Sequence, residues 1–199
     1  MTYPKSTSGA GTREGATPLD PDDAAELLPV HITTREQLNA WEQANISRAA
    51  TWLFARRRHV LTISAVKSVH RNMFDETWKW AGTFRRSDTN IGVHWPTITE
   101  SLIALLGDAE YWLAHGTYGL DEAAARFHHR LVFIHAFPNG NGRHGRLVTD
   151  ALLRSRGRPA FTWGQGDLTC ASHARTEYLR ALRAADAGDL GPLLAFVRS

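Results

Sequence analysis

An all-α bundle with one small β-hairpin is the fold class this sequence predicts, and three observations carry it. Apolar residues recur at intervals of three and four over most of residues 33–197. Ser, Thr or Asp stands before several of these stretches, and Gly or Pro follows them, which is how helices start and stop. Only RRSDTNIGVHWPTI breaks the helical period: Ile91, Val93 and Trp95 alternate there with Asn90, Gly92 and His94. With Asp88 and Gly92 as turn-formers and Pro96 as a stop, that stretch reads as a short hairpin. A lone hairpin is not stable in water, so it must pack on the helices, and its free edge can take up an extended peptide.

The elements follow in chain order. Residues 1–20 are rich in Gly, Ser, Thr and Pro and read as an unstructured or loosely docked arm. Residues 21–58 form an N-terminal helical segment. Asp22 and Pro29 bound its first short turn, and Thr33 or Thr34 opens a long helix, each with a Glu or Gln three residues on. Leu38, Trp41, Asn45, Ala49, Trp52 and Leu53 make that helix's stripe, with Glu42 beside it. The basic cluster Arg56 to His59 ends the segment and reads as a hydrated helix end. Residues 59–199 hold the rest: helices over Thr62–Met73, Thr97–His115, a very apolar one capped by Asp121 and reading as central and buried, and Arg143–Arg154. Gly157 and Pro159 close the last of these, Phe161 to Gly166 reads as a loop, and Ser172–Ala185 and Leu190–Val197 end the chain.

Composition narrows the function classes. A formal charge of +3 with both signs interspersed is too mild to argue for direct nucleic-acid binding. A single cysteine, Cys170, allows no internal disulfide and no cysteine metal cluster. No apolar run approaches a membrane span, and no leader-like stretch opens the chain, so a cytoplasmic location is expected. Seven tryptophans point to a well-filled core.

The informative stretch is His135 to Arg146, HAFPNGNGRHGR. It is a tight loop between an apolar helix and an amphipathic one. Glycines let backbone amides converge, and the following helix adds partial positive charge, so the loop is an anion cradle. Gly140, Asn141 and Gly142 would supply donors, with the Asn141 side chain as one more. Arg143 and Arg146 lie one turn apart and can reach one phosphate chain. Cations are unfavourable at a helix N-terminus unless an anion sits there. Beside such a cradle, His135 suits proton transfer, and Phe137 reads as an inward anchor. The histidines at 128, 129, 135 and 144 have no zinc-ligand spacing, and His128 reads as a hydrogen-bonded core residue.

These residues closely resemble the Fic motif, HxFx(D/E)GNGRxxR. TWKWAGTFR looks like the family's segment before its flap, RSDTNIGVHWPTI like the flap hairpin, HHRLVFIH like the helix entering the active loop, and YLRALRAADAGDLGPLLAFV like its C-terminal helices. Residues 59–199 would then be a Fic domain. GATPLDP and TTREQLNAWEQANI look like the subgroup called mobile mystery protein B, encoded on mobile elements beside a small helix-turn-helix protein. The resemblance implies transfer of AMP from ATP, with Mg²⁺, to a Ser, Thr or Tyr hydroxyl of a target protein. It makes His135 the general base. Gly140, Asn141 and Gly142 would hold phosphate oxygens, Arg143 the polyphosphate and Arg146 the γ-phosphate. The flap at Ile91, Gly92 and Val93 would align the target chain as an added strand.

Two departures bear on activity. The family's acidic metal anchor is Asn139 here, which can ligate a hard cation but brings no charge, so metal affinity should fall. Ala136 replaces a common proline. The family's inhibitory (S/T)xxxE(G/N) pattern is not met, since Leu38 and Gln43 flank Glu42 in that register. Glu42 is still expected to contact Arg146 as an inhibitory residue. The alternatives are a catalytically weak nucleotide- or peptide-binding module, a relative transferring another phosphate-linked group, and a DNA-associated partner.

Overall fold

The computed structural model describes residues 25–166, 168 and 172–199. The arm over residues 1–20, Asp22 and Cys170 lie outside them. Seven α-helices make up the described fold: α1 Arg35–Phe54, α2 Ile63–Phe74, α3 Ile98–His115, α4 Leu120–Ile134, α5 Asn141–Ser155, α6 His173–Asp186 and α7 Gly191–Val197. Short 3₁₀ turns at Trp95–Thr97 and Trp163–Gln165 join them.

Local chemistry starts the helices where the sequence suggested. Thr34 caps α1 through a reciprocal box, its Oγ1 accepting the Gln37 N–H at 3.2 Å and its own N–H donating to Gln37 Oε1 at 3.1 Å. Thr62 caps α2 by accepting from the Ala65 N–H, and Ser172 caps α6 by accepting from Arg175. α4 departs from expectation. Gly119 stands at its N-cap without a side-chain bond. Asp121 sits inside the first turn and accepts two bonds from Arg198, at 2.9 and 2.7 Å. It anchors the end of the chain instead of capping.

α4 packs on α3, α5 and α7, while α1 packs on α2 and α5. The main core gathers Val66, Met73 and Phe74 of α2, Leu102 and Leu105 of α3, Phe127 and Leu131 of α4, and Val148 of α5. A second core gathers Phe161, Trp163, Tyr178, Leu193 and Phe196 against Ala124 of α4 and Leu153 of α5. α4 is therefore buried from both sides, as its apolar sequence implied. Each large apolar side chain removed from water there contributes roughly 1.5–3 kcal/mol, which fixes the ends of α4 and α5 relative to each other. Gly145 sets the closest approach: a Cβ there would stand 2.8 Å from Val132 Cγ2.

The hairpin expected over residues 85–95 is absent. Among the described residues the only β pairing is an isolated antiparallel bridge between Leu27 and Trp78. Side chains take the groups a ladder would need. Asp88 Oδ1 accepts the Trp95 N–H at 2.8 Å, and the Thr89 hydroxyl donates to the Ile91 carbonyl at 2.6 Å. Local side-chain bonds of this kind compete with sheet pairing. The result is a loop closed by Asp88, whose carboxyl is held below the usual range first by the Trp95 amide and then by His94.

Four buried histidines stay neutral inside this fold. Burial lowers His128 to about 3, and His135 and His144 each to about 4. His70 is held well below its ordinary value, first by burial and then by His144. Unfolded histidine titrates near ~6.5, so the unfolded chain takes up more protons between that value and about 4, and stability is lost as pH falls through this window. Asp150 acts oppositely: burial raises it to about 6, so acidification through that range favours the fold. Four groups outweigh one. The melting temperature should fall by several degrees between pH 7 and pH 5, with net proton uptake on unfolding measurable by calorimetry in buffers of different ionisation heat.

Candidate active site

The site forms where α4 ends and α5 begins. His135 is the C-cap of α4 in the left-handed conformation, φ 53° and ψ 54°. That region costs a non-glycine residue on the order of 1–3 kcal/mol, and such strain clusters at functional sites. The imidazole is buried at 6% exposure. Burial first, then the neighbouring Arg85 charge, lowers its pKa to about 4, opposed by a backbone bond at Val132. It is a neutral imidazole at physiological pH.

Phe137 anchors the loop. It is fully buried, stacks on His70 at 3.7 Å between centroids, and meets His144 edge-on. His70 Nδ1 accepts the Gly82 N–H, so its Nε2–H donates to the Asn139 carbonyl at 3.0 Å. His144 donates to the Val66 carbonyl at 2.9 Å. Gly140 turns the chain with φ +79°, and a Cβ there would meet the Phe74 ring at 2.5 Å. The Asn141 side chain, expected as a donor to a ligand, instead brackets Phe137, accepting its N–H and donating to its carbonyl at 2.9 and 2.8 Å. The Gly140 N–H likewise goes to Asn139 Oδ1 at 2.6 Å. The backbone amides of Asn141, Gly142 and Arg143 remain as the first turn of α5, which no side chain caps.

The two arginines face different partners. Arg143 donates to Glu42 Oε2 at 2.7 Å and lies 5.0 Å from the Phe74 ring. Arg146 lies 5.5 Å over Tyr178, and its Nη1 is 3.7 Å from where a Gly142 Cβ would stand, so it reaches back toward the start of α5. Glu42, expected at Arg146, is therefore paired with Arg143. The reason is the inward stripe of α1, Glu42–Asn45–Ala49–Leu53, which faces α2 and α5 and sets the carboxylate beside the first arginine. Trp78 Nε1–H donates to its other oxygen at 2.8 Å. A carboxylate only 4% exposed needs both partners.

Arg85 ties residues 85–93 to the site. Its side chain is 1% exposed. Its guanidinium donates to the carbonyls of His135 at 2.7 Å, Ser87 at 2.8 Å, and Val93. Its backbone N–H donates to Ala136 at 3.0 Å. Gly92, at φ +105°, lies so close that a Cβ would meet His135 Cβ at 2.6 Å. Val93 is half-buried and bonded inward, whereas Ile91 is 43% exposed. Sequence reasoning gave no role to Arg85 or His70. His70 was findable, since it completes the stripe Ile63–Val66–His70–Met73. Arg85 bonds residues 50 positions away, which no local pattern reveals.

The site is thus one imidazole beside an uncapped helix N-terminus and two arginines, set in an all-helical bundle at a helix-loop-helix junction. The Fic/DOC family model matches residues 60–153, and the chain belongs to that family through this region. It is 29% identical to protein adenylyltransferase fic-1 of Caenorhabditis briggsae over 149 residues, covering 73% of this chain and 28% of the relative. It is 30% identical to protein adenylyltransferase Fic of Drosophila melanogaster over 141 residues, covering 69% and 27%. The chain thus spans less than a third of the length of these relatives. Among solved structures, C. elegans Fic-1 aligns with a TM-score of 0.65 at 25% identity, covering 86% of this chain and 50% of that one. The BepC protein of Bartonella tribocorum, solved with AMPPNP, aligns with 0.65 at 17% identity, covering 83% and 87%.

Arg85→Ala would strip the α4 end and the 87–93 loop of several buried donors at once. Urea denaturation should show a loss of about 3 kcal/mol, and amide exchange at Val93 and Arg85 should rise to loop rates. Arg85→Lys cannot reach the same carbonyls with a fork and should restore less than half of the loss.

Proposed function

We propose that this protein transfers AMP from ATP to a Ser, Thr or Tyr hydroxyl of a target protein. The observation that carries the reading is the pairing of a neutral buried imidazole, held at the end of α4, with the open amide turn and two arginines of α5. His135 accepts the proton of the attacking hydroxyl. The hydroxyl oxygen bonds the α-phosphorus as the bond to the β-phosphate oxygen breaks, and pyrophosphate leaves. The Asn141, Gly142 and Arg143 amides receive phosphate oxygens with help from the helix dipole. Arg146 and a released Arg143 neutralise charge on the leaving phosphates. Such chemistry is mostly positioning and charge neutralisation. Supporting it, the curated relatives are named adenylyltransferases and a structural neighbour holds an ATP analogue.

The residues fit Mg²⁺ poorly. Asn139 brings no charge, its Oδ1 already accepts the Gly140 N–H, and no three-residue His, Cys, Asp or Glu cluster lies among the described residues. A magnesium ion would be held by the nucleotide's own phosphates, and no step here depends on it. This loop also favours the second reading, a nucleotide- or peptide-binding module with little catalysis. Glu42 acts on this reading as an internal competitor, since a phosphate reaching Arg143 must displace it. The target chain would dock beside the exposed Ile91 through side chains and not as an added strand, because both Val93 backbone groups and the Ile91 carbonyl are already bonded within the chain, with a small helix-turn-helix protein as an encoded neighbour. No described helix is long and apolar enough to cross a membrane.

The test is incubation with α-³²P-labelled ATP and Mg²⁺. Label should pass to protein with the wild type and be lost in His135→Ala. Glu42→Gly should raise transfer about tenfold or more, because one charge-assisted contact is worth that factor, and Asn139→Asp should raise it further. Transfer only by Asn139→Asp favours the second reading, and transfer undiminished in His135→Ala overturns the first. The acid limb of the wild-type rate should fall at about pH 4 instead of near ~6.5, since the base works neutral and His135 gains its proton only near 4.

A further inference from the structure

The basic run at residues 56–59 has no part in the reaction. At the opposite end of α5 from the catalytic loop, roughly 22 Å along a 15-residue helix, the chain leaving α1 meets the chain leaving α5. Between them lies a cleft of about 210 Å³. Arg57, Arg58, His59 and Arg156 line it, over an apolar floor that includes Leu61 and Leu152. No carboxylate lines the cleft. Among the described residues, Arg57, Arg58 and Arg156 form no ion pair, and His59 is paired with Glu110 at 3.1 Å.

Capping of α5 does not account for these cations. The last carbonyls of α5 are taken by backbone amides: Gly157 N–H donates to Arg154 and Arg158 N–H to Leu153, at 3.1 and 3.0 Å. The Arg58 guanidinium is pre-positioned, lying 4.2 Å over the Trp52 ring with one long 3.5 Å bond to the Trp52 carbonyl. Its Nε is buried without an acceptor. A guanidinium in no ion pair and held by stacking, two exposed arginines lining the same cleft, and an apolar floor suit a dianion with an organic part.

We infer that this cleft binds a phosphate group, free or carried by a small monoester whose organic part covers Leu61 and Leu152. The site is separate from the catalytic loop and does not depend on what that loop does.

The arginine Nε–H resonances of the full chain read the site directly, in titrations with inorganic phosphate and with glycerol 3-phosphate at constant ionic strength. The Arg57, Arg58 and Arg156 signals should shift and saturate. In the Arg57→Ala/Arg156→Ala variant the Arg58 midpoint should rise about tenfold or more. Both positions are exposed, and unchanged backbone amide spectra elsewhere show that the variant is folded. A lower midpoint for the ester assigns the floor to its organic part, and equal midpoints assign the cleft to free phosphate. Shifts that chloride reproduces, or an Arg58 midpoint unchanged in the variant, overturn the inference.

Discussion

The guanidinium of Arg85, buried beneath the end of α4, is the contact on which the site's geometry and protonation both rest. A charge taken out of water must be paired or fully hydrogen-bonded. This one is met mainly by carbonyls, with Asp88 outside at 3.5 Å. Those carbonyls belong to the C-terminus of α4, where a cation is favoured by the helix dipole, and to the loop over residues 87–93. The same group therefore ends the helix, holds His135 in its left-handed turn and ties down the segment that crosses it. Its charge also helps keep the His135 ring neutral. Burial lowers the Arg85 pKa from its ordinary value, with Asp88 acting against that, and a guanidinium under such conditions still keeps its proton.

The second constraint is ionic. Glu42 reaches the start of α5 from a helix that lies outside the matched family region. It satisfies Arg143 and Trp78 together, so α1 contributes to the electrostatics of the loop as well as to its packing. Removing one partner of a buried pair leaves the other charge uncompensated, which is far more costly than losing a surface pair. On the proposed function, an arriving anion would supply Arg143 with a new partner, and the carboxylate would then have to find water or another donor. Such an exchange would link occupancy of the loop to the seating of α1. Arg146 rests instead on Tyr178, whose hydroxyl lies 2.9 Å from His128 Nε2, and its charge acts on the buried Asp150 one turn further along α5.

Much of the helical framework was legible. Capping residues and three–four periodicity locate α1 to α7 within a few residues, because both are local properties of the chain. The loop was legible as a cradle because glycines and a helix start are also local. The hairpin misled because alternation records which side chains face inward and does not record where backbone groups find partners. Asp88 and Thr89 answered that question with side chains. Asn141 misled in a related way. Its residue type suggests a ligand donor, yet it closes a four-residue bracket on Phe137 that only the folded loop displays.

By itself the sequence determined the helices, the glycine-rich turn, the imidazole next to it and the identity of the residues in the motif. Each follows from chemistry acting over a few positions. The tertiary structure alone decided which arginine Glu42 meets, what orders residues 85–93, where His70 braces the loop and which basic residues line one cleft at the far end of α5. Those choices depend on packing between helices far apart in the chain, where rotation of a helix by one residue exchanges one partner for another.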